Sequence, residues 1–401
     1  MKRSRIELSG PLAPHVAAFQ AELQRLGYTA SPAKKHFYLL ARLSDWLDDQ
    51  GLGVADVATS RVEPFFAARR AGGVANLRSR AALTPFVAYL RELGVVPVDE
   101  AAVPTTESER VLADFRTYLS SERGLVDGTV RFYAHVAGLL LDDRVADGDV
   151  RLSGLSARDV TAFTTKVCQG RGLSSCRQAV SALRSFLRFL ALEGASAVAL
   201  DDAVLAVAGW DPALPRAISS TEVTRLLTGC DRQQAIGRRD YAILLLLARL
   251  GLRGGEVVAM QLGDVDWRAG ELTVRGKGRC TDRLPPPAEV GEALADYLQR
   301  GRPASDSRSL FLRRVAPFVG FAGTGALRGV LERACARAGL AYASPHQLRH
   351  TAATEMLRSG AAMAEIGQVL RHRSSVTTAV YAKVDHDQLR MVARPWPRSA
   401  A

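Results

Sequence analysis

Lysine is scarce in this chain: Lys2, Lys34, Lys35, Lys166, Lys277 and Lys383 are six of its 53 lysine and arginine residues. Cysteine is sparse too. Cys168, Cys176, Cys230, Cys280 and Cys335 are odd in number and form no CxxC pair, which excludes a disulfide framework or a zinc knuckle and suits a reducing cytoplasm. The longest apolar run, Tyr241 to Ala248, is far short of the ~20 residues a membrane span requires. No apolar stretch follows the charged Met1-Lys2-Arg3-Ser4-Arg5, so a soluble, cytoplasmic chain without a signal peptide is expected. No His/Cys/Asp cluster has metal-ligand spacing, and the acids of the last third are scattered singly. No metal is therefore expected.

Arginine and apolar residues fill the space these absences leave. The formal charge of +12 and pI near 9.9 favour a polyanionic partner such as nucleic acid and a nucleoid-associated location. Arginine suits that partner, because its planar guanidinium donates two parallel hydrogen bonds to phosphate. At 401 residues with 47% apolar content, the chain is large enough for two or three buried cores.

Two stretches break the helical periodicity and read as linkers. Val95 to Glu107 carries two prolines and acids, and Asp201 to Arg216 carries Gly209, Pro212 and Pro215. Three units result: 1–100, 107–200 and 215–401. The first two resemble each other. Phe19, Phe37-Tyr38, Val62-x-x-Phe65 and Leu83-x-x-Phe86-x-x-Tyr89-Leu90 recur in order as Phe115, Phe132-Tyr133, Val160-x-x-Phe163 and Leu183-x-x-Phe186-x-x-Phe189-Leu190. Helical spacing within each set predicts a small bundle of about four helices per unit, by duplication. Each unit also has a segment rich in arginine and poor in acid: Arg69, Arg70, Arg78 and Arg80 in the first, Arg171, Arg177 and Arg184 in the second. These are candidate phosphate contacts.

In the third unit, Ser219-Ser220-Thr221-Glu222 predicts a capped helix start through Leu227. Arg239 to Leu250 predicts an apolar helix ended by Gly251 in the C′ position. Asp264 to Leu284 predicts a short β-ribbon whose turn carries Lys277. Helices are expected over Glu289–Arg300 and Leu327–Ala338, with shorter helical segments over Ala364–Leu370 and Val376–Tyr381. Ser344 as N-cap and Pro345 at the first helical position start another helix, which Gly360 stops. The residues that bear chemistry lie on this framework. His346 and Arg349 share one helix face at i, i+3, and His350 falls close to it. Gly254-Gly255 lets the backbone approach a ligand after Arg253, and Glu256 is placed to orient that guanidinium. Arginines from two segments can neutralise charge building on a pentacoordinate phosphorus, and a lysine on a mobile turn can protonate a leaving alkoxide. Tyr381 supplies a hydroxyl nucleophile whose attack requires proton removal and nearby positive charge.

The order Arg253, Lys277, His346-x-x-Arg349, His372, Tyr381 resembles the tyrosine recombinase, or phage integrase, family, and the likeness runs from about Ile218 to Val384. It implies a mainly α fold: two N-terminal helical, SAM-like DNA-binding modules and an α+β catalytic domain with a small β-sheet. It implies Arg253 and Arg349 as phosphate clamp, Lys277 as acid on the 5′-oxygen, and His346 as proton acceptor or phosphate ligand. It further implies His372 against the scissile phosphate, Tyr381 as nucleophile, and Glu256 and His350 as supports behind them. Arg371 departs from the pattern, since the family commonly has glycine before the position of His372. The implied activity is cofactor-free strand exchange on double-stranded DNA at a specific site, through a 3′-phosphotyrosine and a Holliday junction. The working assembly would be a homotetramer or mixed tetramer, and the chain would be borne on a mobile element. A type IB topoisomerase and an inactive DNA-binding regulator are the alternatives. The tail from Asp385 to Val392 is expected to form a short helix that packs on its own domain or on a neighbour.

Overall fold

The computed structural model describes residues 9–97, 104, 106–146, 149–150, 152, 154–195, 200–209, 217–276, 281–372 and 378. Lys277, Cys280, Tyr381, the C-terminal tail and most of the expected Val376–Tyr381 segment lie outside them. The chain forms two compact units, Met1–Val98 together with Ala213–Ala401, and Asp99–Pro212. Among the described residues, three large hydrophobic cores and one small cluster are distributed over these units.

The first core is enclosed by α1 (Ala13–Arg25), α2 (Ala30–Asp49), α3 (Glu63–Ala71) and α4 (Thr84–Glu92). The second is enclosed by α5 (Glu107–Thr117), α6 (Asp127–Arg144), α7 (Ala157–Cys168) and α8 (Leu173–Leu192), with a two-residue hairpin of β1 (Val145–Ala146) and β2 (Asp149–Val150) after α6. The repeated aromatics do the same work in both. Phe19 meets Phe86 edge-on at 4.9 Å and Tyr89 at 5.5 Å. Phe115 meets Phe186 edge-on at 4.9 Å and Phe189 at 5.2 Å. One aromatic from the first helix thus wedges between two, one turn apart, on the fourth, a packing that favours edge contacts over stacking.

Residues 200–209 differ from the linker expected there. Leu200 and Val204 are buried in the second core, and Arg188 pairs with Asp201 at 2.7 Å. Arg184 donates to the Val204 carbonyl at 2.9 Å and Arg177 to that of Gly209. Two apolar side chains and a row of arginine donors turn this proline- and glycine-flanked stretch into a strap along α8. Hydropathy periodicity does not register a segment of that kind.

The third core is built by α9 (Ser220–Thr228), α10 (Ala235–Ala248), α11 (Gly254–Ala259), α12 (Ala288–Arg300), α13 (Gly325–Ala338) and α14 (Pro345–Arg358). The short α15 (Met363–Val369) packs on α14. Where a ribbon was expected there is a three-stranded antiparallel sheet in the order β3 (Val265–Asp266), β4 (Glu271–Arg275), β5 (Thr281–Leu284), with Leu272 opposite Leu284 and Arg275 opposite Thr281. The Ser219–Glu222 capping box forms as expected. Helix α10 starts four residues before Arg239, because its first turns are polar yet buried: Arg239 pairs with Asp240, which also meets Arg333. Gly251 is left-handed (φ 56°) but lies two residues past the C-cap Arg249, not at C′.

The first bundle touches the third core's surface through the turn between α1 and α2. The Phe318 backbone N–H donates to the Leu26 carbonyl at 3.0 Å. A Cβ on Gly27 would fall 2.1 Å from the Phe318 ring. Arg25 completes the contact by pairing with Asp306.

Candidate active site

A recess of about 550 Å³ gathers Arg253, Gly254, Thr324, Gly325, Ser344, Pro345, His346, Arg349 and His372, with Arg328 and Tyr342 on its wall. Three helices begin on it. Arg253 is the N-cap of α11, Thr324 of α13 and Ser344 of α14. Helix starts carry unsatisfied N–H groups and the positive end of the helix dipole, so the two 14-residue helices α13 and α14 aim favourable potential at an anion there. Ser344 Oγ accepts from the Gln347 N–H at 3.2 Å while Gln347 Oε1 accepts from the Ser344 N–H at 2.9 Å, fixing the turn that presents His346.

Arg349 and Arg253 are both held by the C-terminal end of α15. Arg349, only 3% exposed, donates from Nη1 to the Gly251 carbonyl and from Nη2 to that of Leu370. Arg253 donates from Nη2 to the next carbonyl, Arg371, at 3.2 Å, and from Nη1 to Glu256 Oε1 at 2.7 Å. Glycine is favoured at 251 by its left-handed backbone (φ 56°) and by close approach, since a Cβ would lie 2.5 Å from Leu370 Cδ2.

Arg371 departs from the family pattern in sequence, and its geometry shows what an arginine contacts there. The Arg371 N–H bonds the Gln368 carbonyl and the His372 N–H bonds that of Gly367, both at 2.9 Å. This is a Schellman helix end with Arg371 at C′ in the left-handed region, φ 55°. Glycine takes that conformation without cost, whereas an L side chain loses roughly 1 kcal/mol. The side chain turns inward, 6% exposed, and pairs with Glu256 Oε2 at 2.7 Å. Glu256 therefore sits between two arginines. Burial pushes its carboxyl up, but the Arg253 N–H and the charge of Arg371 outweigh burial and hold it below the usual range.

All three site imidazoles are held below their ordinary range, which favours the neutral form at pH 7. Burial, then Arg349 and Arg253, lowers His346 below its ordinary value. Burial, followed by His346 and Arg349, pushes His350 down to about 4. His372 also falls to about 4, through burial and then Arg349, Arg253 and Arg371. The His346 and His350 rings meet edge-on at 4.1 Å, and His372 Nδ1 shares a 2.7 Å hydrogen bond with Thr378 Oγ1. Arginine cations beside neutral imidazoles make an anion site that can also accept a proton.

Of the sequence-predicted residues, Arg253, Glu256, His346, Arg349, His350 and His372 come together, while Lys277 and Tyr381 are outside the described residues. Among the described residues no three His, Cys, Asp or Glu side chains gather as metal ligands would. No helix among them is long and apolar enough to cross a membrane. Thr324, Arg328 and Tyr342 line the recess without a sequence signal beyond the helix expected over Leu327–Ala338, which starts two residues earlier, at Gly325.

The proposed phosphate contacts are spread elsewhere. Arg70 pairs with Glu63 at 2.8 Å, Arg80 donates to the Ala58 carbonyl at 2.9 Å, and Arg78 is exposed. Arg177 and Arg184 hold the strap, and Arg171 lines a recess that also contains Asp142 and Asp143. Arg69 lines a second groove, of about 440 Å³, with Ser31, Lys34, Lys35, Tyr38 and Asn76. That groove brings two of the chain's six lysines to one place.

The phage integrase family model matches residues 216–388. A putative integrase/recombinase, y4rA, of Sinorhizobium fredii is 40% identical over 398 residues, covering 98% of this chain and 96% of that protein. The tyrosine recombinase XerC of Oceanobacillus iheyensis is 30% identical over 290 residues, 70% of this chain and 94% of that one. Among solved structures, a lambda integrase tetramer bound to a Holliday junction has a TM-score of 0.52 at 15% identity, covering 80% of this chain and 90% of that chain. The chain belongs to the phage integrase family of tyrosine recombinases, a family of site-specific DNA recombinases.

Proposed function

We propose that the chain recombines a specific DNA site through a covalent 3′-phosphotyrosine at Tyr381 and a Holliday junction. The observation that carries this reading is the convergence of Arg253, His346, Arg349 and His372 on one recess at the starts of α13 and α14. A phosphodiester seated there meets the guanidinia of Arg253 and Arg349 and two helix dipoles, which stabilise the added charge of the phosphorane more than that of the ground state. The Tyr381 oxygen attacks phosphorus and the bond to the 5′-oxygen breaks. The phenolic proton passes to neutral His346, and the Lys277 ammonium supplies a proton to the leaving alkoxide. The 5′-hydroxyl of a partner duplex then attacks the phosphotyrosine, giving its proton to neutral Lys277 while the tyrosine recovers one from His346. Bond energy stays in the phosphotyrosine between the two steps. The roles of Lys277 and Tyr381 rest on their order in the sequence and the family resemblance.

The same reading assigns 1–100 and 107–200 to DNA contact and 215–401 to catalysis. It assigns the groove of Lys34, Lys35 and Arg69 to the phosphate backbone, four protomers to the synaptic complex, and a mobile element as the gene's setting. The experiment is covalent capture of nicked duplexes tiled across the DNA flanking the chain's own gene. A denaturing gel is expected to show a protein–DNA adduct that Tyr381→Phe abolishes and chelator leaves intact. No Tyr381-dependent adduct at either flank, or an adduct formed by Tyr381→Phe, overturns the reading. Resealing of the original strand alone, without transfer to a partner duplex, would favour topoisomerase chemistry instead. Lys277→Ala should cleave poorly and recover on a 5′-thio leaving group, which needs no general acid.

A further inference from the structure

Glu256 poses an electrostatic problem for a phosphate clamp. Its Oε1 pairs with Arg253 at 2.7 Å while Oε2 accepts from the Arg253 backbone N–H at 2.8 Å. A buried carboxylate bound to one guanidinium alone would cancel most of the charge that Arg253 presents to an anion. Arg371 changes this, since its Nη2 reaches Glu256 Oε2 at 2.7 Å while its own carbonyl accepts from Arg253 Nη2 at 3.2 Å. Side chain and backbone of one residue thus grip the same guanidinium, one through the carboxylate and one directly.

We propose that Arg371 is a positioning residue for Arg253: through Glu256 it fixes the guanidinium and offsets the carboxylate, so that the Arg253–Glu256–Arg371 chain keeps a net positive charge facing the recess. The left-handed backbone at φ 55° is the conformational cost of placing a cation where a helix end ordinarily carries glycine. Arg371 itself does not line the recess, so it would act on an anion there through Arg253 rather than by direct contact.

This inference rests on the recombinase reading for the identity of the anion, but it can be tested separately on the full chain. Orthovanadate, a phosphorane mimic, would be titrated calorimetrically into the parent, Arg371→Gly, Arg371→Lys, Arg253→Ala and the Arg253→Ala/Arg371→Gly double variant. Thermal midpoints would confirm that each is folded. Arg371→Gly is expected to weaken vanadate roughly tenfold, Arg371→Lys to recover part of the loss, and the double variant to bind no worse than Arg253→Ala. Additive losses, parental affinity in Arg371→Gly, or a parent that does not bind vanadate would each overturn the proposal. Capture of nicked DNA is scored independently. Non-additivity without any DNA adduct keeps Arg371 in place and removes the strand-exchange reading, and an adduct with additive losses does the reverse.

Discussion

Three imidazoles held neutral beside arginines impose a definite pH response. His350 and His372 have native values of about 4, against an unfolded value near 6.5. Between those limits the unfolded chain binds protons that the native chain does not, so stability falls as pH drops from about 6.5 to about 4 and is insensitive to these groups above that window. Thermal midpoints measured across this range should decline less steeply in His350→Gln; an identical decline would remove His350 from the effect. A second prediction concerns Gly251. Gly251→Ala combines a left-handed backbone with a Cβ 2.5 Å from Leu370, and urea unfolding should show a loss of at least about 2 kcal/mol. Gly94→Ala, at φ 69° with nothing within 4 Å, should lose only about 1 kcal/mol. At this scale the sequence is readable wherever residue type and chemistry coincide: Arg253, His346, Arg349 and His372 can be named from their order alone. Arg371 can be noticed but not explained, because its partner Glu256 lies 115 positions away and only the closed helix end brings them together. Thr324, Arg328 and Tyr342 are invisible for a similar reason, being ordinary residues that matter by where a helix begins.

At the scale of elements, the aromatic wedges are what make each N-terminal bundle a unit. Phe19 and Phe115 are both fully buried, and truncating either to alanine should cost about 3–5 kcal/mol. Hydrogen exchange should show the loss confined to the bundle that carries the change: α1–α4 for Phe19→Ala and α5–α8 for Phe115→Ala. Spread of deprotection to both would argue against separate cores. These helices are legible because burial enforces apolar spacing at the helical period. The strap at 200–209 is not, since two buried residues and a row of backbone acceptors leave no periodic trace. The first turns of α10 are concealed differently. Arg239 and Asp240 look like surface residues in sequence, yet they are 4% and 0% exposed because each neutralises the other.

The molecule as a whole joins its first bundle to the domain carrying the recess, through Phe318 on Gly27 and Arg25 on Asp306. Phe318→Ala should therefore speed hydrogen exchange at Leu26 to Tyr28 while the buried core of α10 keeps its protection. Unchanged exchange at the turn would mean that the contact contributes nothing in solution. Residue patterns do not announce this junction, since neither Gly27 nor Phe318 belongs to a repeat. Its consequence is one of avidity. The groove of Lys34, Lys35 and Arg69 and the arginine recess belong to one compact unit, so under the proposed function a duplex held at one site would already be concentrated at the other. Effective concentrations for such tethered sites reach the millimolar range when the span allows both to engage. Weak binding in the groove would then lengthen residence at the recess without a single new bond to the reacting phosphate. Replacing Lys34 and Lys35 by alanine should leave cleavage of captured DNA unchanged and raise the dissociation rate. It should also flatten the salt dependence of binding, by about one unit of slope for each phosphate that is no longer neutralised.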